Sequence, residues 1–231
     1  MEARLEEAFL DGDLGALLQL LQEDSLLLDR LSATPHTSNN ILHTPALLGH
    51  TDFASEILRR RPKLAQDLNE QGFSPLHLAS ANDHLLVVKE LLKVGSDLCL
   101  IRDKDGFMPI HTAVIKGKIC IVKELIDACP ETAKAKTCQG ETIAHLAVRS
   151  NHFKMVEFLV DKLGSNEELL NSKDEKGNTI LHLAVARKQL EHHSVIDLLG
   201  PKEEGDADEV REVGYVDCYL LYGTGIRICP L

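Results

Sequence analysis

Eleven histidines and six cysteines are the residues of this 231-residue chain best suited to hold a metal or act as nucleophiles. Five of the histidines recur in register. His43, His77, His111, His145 and His182 stand 34, 34, 34 and 37 residues apart, each directly after an apolar residue. With one imidazole per repeating unit, packed helices put successive rings about 10 Å apart. That is too far to share an ion whose ligands bind at about 2.1 Å, so a structural role is expected of all five. His192-His193 are adjacent, face different ways on a helix and read as a surface pair. The cysteines (Cys99, Cys120, Cys129, Cys138, Cys218, Cys229) include no C-x-x-C pair, which fits a reducing compartment and a cytoplasmic location. Cys138 falls at an expected turn tip but has no fixed basic neighbour to activate it, so it reads as an ordinary exposed thiol. Glu6-Glu7 and Glu167-Glu168 are sequence neighbours on solvated faces rather than acid–base pairs. The chain has no G-x-x-x-x-G-K-[ST], no G-x-S-x-G and no H-E-x-x-H. Neither catalysis nor a cofactor or metal is expected.

The elements that position these histidines follow a second, independent period. Leu17, Leu20 and Leu21 lie at i, i+3 and i+4, the spacing of one helical face. Counterparts are Ala54, Ile57, Leu58, then Val88, Leu91, Leu92, then Val122, Leu125, Ile126, then Val156, Leu159, Val160, and last Val195, Leu198, Leu199. All are apolar. Two coincident periods near 34 residues predict an all-α repeat solenoid of about six helix-turn-helix units over residues 1–199. The first and last units are degenerate. Ser74, Asn40, Thr142 and Thr179 are placed to cap the first helix of a unit, with Pro75 suited to the first helical position. Met108 cannot cap, so that helix should start less firmly. Gly12, Gly49, Asp83, Gly117 and Asn151 occupy the helix end that needs a left-handed residue, and Lys188 breaks the rule. Gly95, Pro62 or Pro130 stop the second helix.

Between units stand short polar turns with Gly in fourth place, expected to be hairpin tips. They are Asn69-Glu70-Gln71-Gly72, Asp103-Lys104-Asp105-Gly106, Thr137-Cys138-Gln139-Gly140 and Asp174-Glu175-Lys176-Gly177. Residues 32–39 and 164–168 read as longer loops. Lys202 to Glu212 reads as an acidic linker, and Gly214 to Leu231 as an irregular tail.

A formal charge of −11 argues against nucleic-acid binding, which needs a concentrated basic surface. The one basic cluster, Arg59-Arg60-Arg61 with Lys63, lies at a helix end where cations offset the dipole. The acidic opening is unlike a signal peptide, the ending lacks a prenylation cysteine, and no apolar window is long enough to span a membrane.

These residues resemble the ankyrin repeat, whose signature is T-P-L-H-x-A. It stands here as Ser74-Pro75-Leu76-His77-Leu78-Ala79, Met108-Pro109-Ile110-His111-Thr112-Ala113, Thr142-Ile143-Ala144-His145-Leu146-Ala147 and Thr179-Ile180-Leu181-His182-Leu183-Ala184. The unit at Asn40-Ile41-Leu42-His43-Thr44 departs, because Pro45 replaces Ala and should remove a helical hydrogen bond and loosen or shift the helix. The resemblance implies that each imidazole bonds across the loop to the next unit. Residues 140–148 and 169–179 are also similar to plant membrane-anchored ankyrin proteins of immunity and stress signalling. Those proteins carry a C-terminal block of transmembrane helices. The likeness implies either a defence-related adaptor or the cytosolic half of such a membrane protein, at the inner face of the plasma membrane if a longer form exists.

The implied function is to bind other proteins. The frame residues repeat while the turn residues vary, which directs a partner to the turns and to the exposed side of the first helices. The expected contact residues are Asn69, Glu70, Gln71, Asp103, Lys104, Asp105, Thr137, Cys138, Gln139, Asp174, Glu175 and Lys176 on the turns. Ala81, Asn82, Ile115, Lys116, Arg149 and Ser150 are expected on the concave wall.

Overall fold

The computed structural model describes residues 2–24, 27–28, 41–163 and 171–186. Asn40, the 32–39 and 164–168 loops, Lys188, the Val195–Leu199 face, His192-His193, and the linker and tail fall outside them. The chain divides into two units, residues 1–138 and 139–231.

In the first unit the helices alternate in role. The first helix of each repeat is α1 (Glu2–Asp11), α3 (His43–Leu48), α5 (Pro75–Ala81) and α7 (Pro109–Ile115). The second is α2 (Leu14–Glu23), α4 (Thr51–Arg60), α6 (Leu85–Val94) and α8 (Ile119–Ala128). α1, α3, α5 and α7 pack each on the next, as do α2, α4, α6 and α8, so two helical layers share one core. Short 3-10 turns at Pro62–Gln66, Ser96–Leu100 and Pro130–Lys134 lead out of α4, α6 and α8. The second unit contains α9 (Ile143–Arg149), α10 (Phe153–Leu163) and α11 (Ile180–Ala186), with α9 against both others. No β-strand occurs among the described residues. None of the described helices is long and apolar enough to cross a membrane.

The apolar frame packs as its spacing predicts. Leu17, Leu20, Ala54, Ile57, Val88, Leu91, Val122, Leu125 and Leu159 are fully buried, while Leu92 keeps part of its surface. Short helices of six to eleven residues cannot persist alone in water. Stacking these apolar faces is what makes them stable.

Local chemistry sets the ends. Ser74 Oγ accepts from His77 N–H, and Thr142 Oγ1 accepts from His145 N–H, each at 3.4 Å. Gly12, Gly49, Asp83, Gly117 and Asn151 all have φ between 61° and 83°, as the left-handed helix ends require. At Pro45 the helix is shifted as expected, but no hydrogen bond is lost. α3 begins at His43, two residues later in the repeat than α5, which makes Pro45 its third residue. The first N–H groups of a helix have no intrahelical partner, so Pro45 removes no hydrogen bond. The first bond instead runs from Ala46 N–H to the Leu42 carbonyl at 3.1 Å.

Candidate functional site

The recurrent histidines form a ladder. His43, His77 and His111 are buried at 0–1% exposure, as is His145 in the second unit. The Nε2–H of His43 donates to the Phe73 carbonyl at 2.8 Å, that of His77 to Phe107 at 3.0 Å, and that of His145 to Asn178 at 3.0 Å. Each ring thereby closes the turn leading into the following repeat. His111 departs, donating over a longer 3.4 Å to Ala135, only 24 residues on. On the other side of the ring, the Nδ1 atoms of His77, His111, His145 and His182 accept the backbone N–H groups of Ser74, Met108, Thr142 and Thr179 respectively. That bond exists even at Met108, which has no hydroxyl, so half of the cap survives there. In His77 and His111 both ring nitrogens are occupied by a donor–acceptor pair that only the neutral imidazole can supply. Burial pushes the His111 imidazole down to about 4, and lowers His77 against the opposing Phe107 carbonyl bond. No metal-holding group of three His, Cys, Asp or Glu exists among the described residues.

Three of the turns are closed by their first residue, Asn69, Asp103 or Asp174. Asn69 Oδ1 accepts the N–H groups of Gln71 and Phe73, at 3.1 and 2.8 Å. Asp103 Oδ1 does the same for Asp105 and Phe107, at 3.0 and 2.8 Å. In the second unit Asp174 Oδ1 takes Lys176 and Asn178, at 2.9 and 2.7 Å. Burial alone would raise the Asp174 carboxyl. The bonds from Asn178 and Lys176 outweigh it and hold the group below its ordinary value. The side-chain oxygens of Asn69, Asp103 and Asp174 thus bond the turn's own backbone. Among the remaining turn positions, Glu70, Gln71, Lys104, Asp105 and Cys138 of the first unit are exposed, as are Gln139, Glu175 and Lys176 of the second. Thr137, expected at the displayed tip, is instead buried at 6% exposure. The tips are also tied to one another: Lys104 Nζ donates to the Glu70 carbonyl, and Cys138 Sγ to that of Asp105 at 3.4 Å.

On the wall, Asn82 and Lys116 are exposed and Ala81 and Ile115 half-buried. In the second unit Ser150 is half-buried, and Arg149 is held at 2.8 Å by the buried carboxylate of Glu141. Of the basic cluster, Arg59 and Arg60 both bond Glu56, at 2.8 and 2.6 Å. The Arg59 hydrogen bond, against the effect of burial and with help from Arg60, lowers the Glu56 carboxyl to about 2. The cluster is thus partly neutralised within its own helix.

A second ladder was not anticipated. The Nε2–H of His50 donates to the Leu10 carbonyl at 3.0 Å, and that of His84 to the Leu47 carbonyl at 2.8 Å. Each ring lies on the left-handed glycine of the repeat before it: a Cβ at Gly49 would fall 2.4 Å from His84 Nδ1. Where the glycine becomes Asp83, the histidine position becomes Lys118, and the two meet at 3.4 Å. The signal is present in the sequence, since 50, 84 and 118 are separated by 34, but the exchange of His for Lys hides it.

The ankyrin-repeat model matches this sequence in three copies, over residues 5–102, 95–168 and 110–209. No curated protein matches it. With the histidine-closed turns and paired helical layers already described, those matches establish that the chain belongs to the ankyrin-repeat family.

Proposed function

We propose that the protein is a non-enzymatic adaptor that binds other proteins through its turn tips and the open side of its first helices. The observation that carries this reading is a division of labour. Frame residues (the ladder imidazoles and Asn69, Asp103 and Asp174) direct their hydrogen bonds inward, while Glu70, Gln71, Lys104 and Asp105 face solvent on a rigid base. Rigid presentation lowers the ordering cost of association. The finer reading, a role in plant defence or stress signalling in company with membrane-anchored relatives, rests on the likeness of residues 140–148 and 169–179 to that group.

The test is affinity capture from cell extract with the full chain and with a variant carrying Glu70→Lys, Asp105→Lys and Glu175→Lys. The reading expects prey retained by the wild type and lost by the variant at equal thermal stability. The same prey on both would remove the tips from the contact surface.

A further inference from the structure

An aspartate followed by glycine is the aspartyl pair most open to cyclisation, because no Cβ shields the next backbone nitrogen. The sequence holds two such pairs, Asp11-Gly12 and Asp105-Gly106, both in the first unit. In each the aspartate is exposed and the glycine has a left-handed φ, 68° and 81° respectively. Their surroundings differ. Gly12 lies under the His50 ring, where an added Cβ would fall 2.5 Å from Nδ1. Asp13 N–H is also bonded to the Ala8 carbonyl at 3.1 Å, which ties down the end of α1. At Gly106 an added Cβ would meet only Cys138 Cβ, 3.8 Å away, so the tip has room for a new ring.

Hydrogen bonds restrain the tip instead. Gly106 N–H closes the turn onto the Asp103 carbonyl at 3.0 Å, and Asp103 Oδ1 takes the N–H groups of Asp105 and Phe107. Cys138 Sγ holds the Asp105 carbonyl over a longer 3.4 Å. Asp105 is not among the residues with positive φ, so the turn is type I, with ψ about 0° at Asp105. That angle turns the Gly106 nitrogen away from the Asp105 side chain. Cyclisation therefore waits for the turn to open, and the exposed groups that opening releases are taken up by water.

We propose that Asp105 is a site of conversion to isoaspartate, and that the Asp103 side chain sets its rate by holding the turn shut. In the open turn the Gly106 nitrogen attacks Cγ of the protonated Asp105 carboxyl. A C–N bond forms while the N–H proton and the carboxyl hydroxyl leave as water, giving a five-membered succinimide. Water then adds to one of the two ring carbonyls. At Cγ it breaks the new bond and restores aspartate. At the main-chain carbonyl it breaks the original peptide bond, and the chain thereafter runs through Cβ with no net change in mass. The lengthened backbone moves Phe107 N–H away from Asp103 Oδ1, and with it the Phe107 carbonyl that receives the His77 imidazole.

The experiment ages the folded full chain at mildly acidic pH, digests it, and quantifies isoaspartate at residues 11 and 105 by electron-transfer fragmentation, which separates the two isomers. Asp103→Ala and Asp103→Asn are aged beside it, with thermal melts to check their fold. The asparagine keeps the acceptor, as Asn69 does in the preceding turn. A parallel set aged in urea gives the rates without a turn. The proposal expects residue 105 to convert ahead of residue 11 in the folded chain. Conversion at 105 should be about tenfold faster in Asp103→Ala and unchanged in Asp103→Asn, with these differences gone in urea. No isoaspartate at 105, earlier conversion of residue 11, or one rate for wild type and Asp103→Ala would overturn it. So would an acceleration in Asp103→Ala that persists in urea, since it would come from the neighbouring residue and not from the turn. The comparison of residues 105 and 11 needs no variant.

Discussion

Ser80 is fully buried in α5, and its hydroxyl meets no donor or acceptor. The same place in neighbouring repeats is Ala46, Val114 and Val148, all apolar. A buried hydroxyl without a partner loses its hydration and gains nothing in exchange. Ser80→Ala should therefore be neutral or stabilising by up to about 1 kcal/mol in a urea melt. Gly49 is the opposite case. Its φ of 83° disfavours any side chain, and a Cβ would meet the His84 ring. Gly49→Ala should cost about 1–3 kcal/mol, read in the same melt. At this scale the left-handed positions were legible, because only a few residue types tolerate them. The His50 and His84 bonds were not, because Lys118 interrupts the 34-residue spacing that would have marked those histidines.

At the scale of elements, the helix pairs and their apolar faces follow from periodicity, and the glycines mark where the turns close. What periodicity could not supply is the start of α3. Pro45 was expected to cost a bond and to loosen or shift the helix; the helix start does shift, and by enough that the missing N–H is one of the unpaired first three. Nor could it tell the closing residue of a turn from the displayed ones. Asn69, Glu70 and Gln71 are all polar, yet only the first has its side-chain oxygen on the turn's own N–H groups. In the second unit, Thr142 Oγ1 accepts from His145 N–H and lies 2.8 Å from its Nδ1. Thr142→Ala should cost about 0.5–2 kcal/mol, and Thr142→Ser should restore most of it.

At the scale of the whole molecule, stability is a sum of repeats and the interfaces between them. Leu91 is fully buried in mid-array, and Leu91→Ala should cost about 2–5 kcal/mol through the cavity it leaves. The histidine ladder adds a pH dependence. His77 and His111 are lowered from an ordinary value of 6.5, so the folded chain favours their neutral form. Above pH 6.5 both are neutral in folded and unfolded chains, and their contribution is complete. As pH falls below 6.5 the unfolded chain takes up protons first and stability declines, until His111 protonates in the folded state near about 4. His111 alone contributes at most about 3 kcal/mol over that window. Midpoints of urea melts between pH 7 and pH 4.5 should fall, and His111→Asn should flatten the slope.

The separation of frame from displayed residues is tested most directly by urea melts of two single variants in one turn. Asp103→Ala removes the acceptor for two backbone N–H groups and should cost about 1–3 kcal/mol. Asp105→Lys, two residues away on the exposed tip, should stay within about 0.5 kcal/mol of wild type. Equal losses, or a larger loss at Asp105, would contradict it.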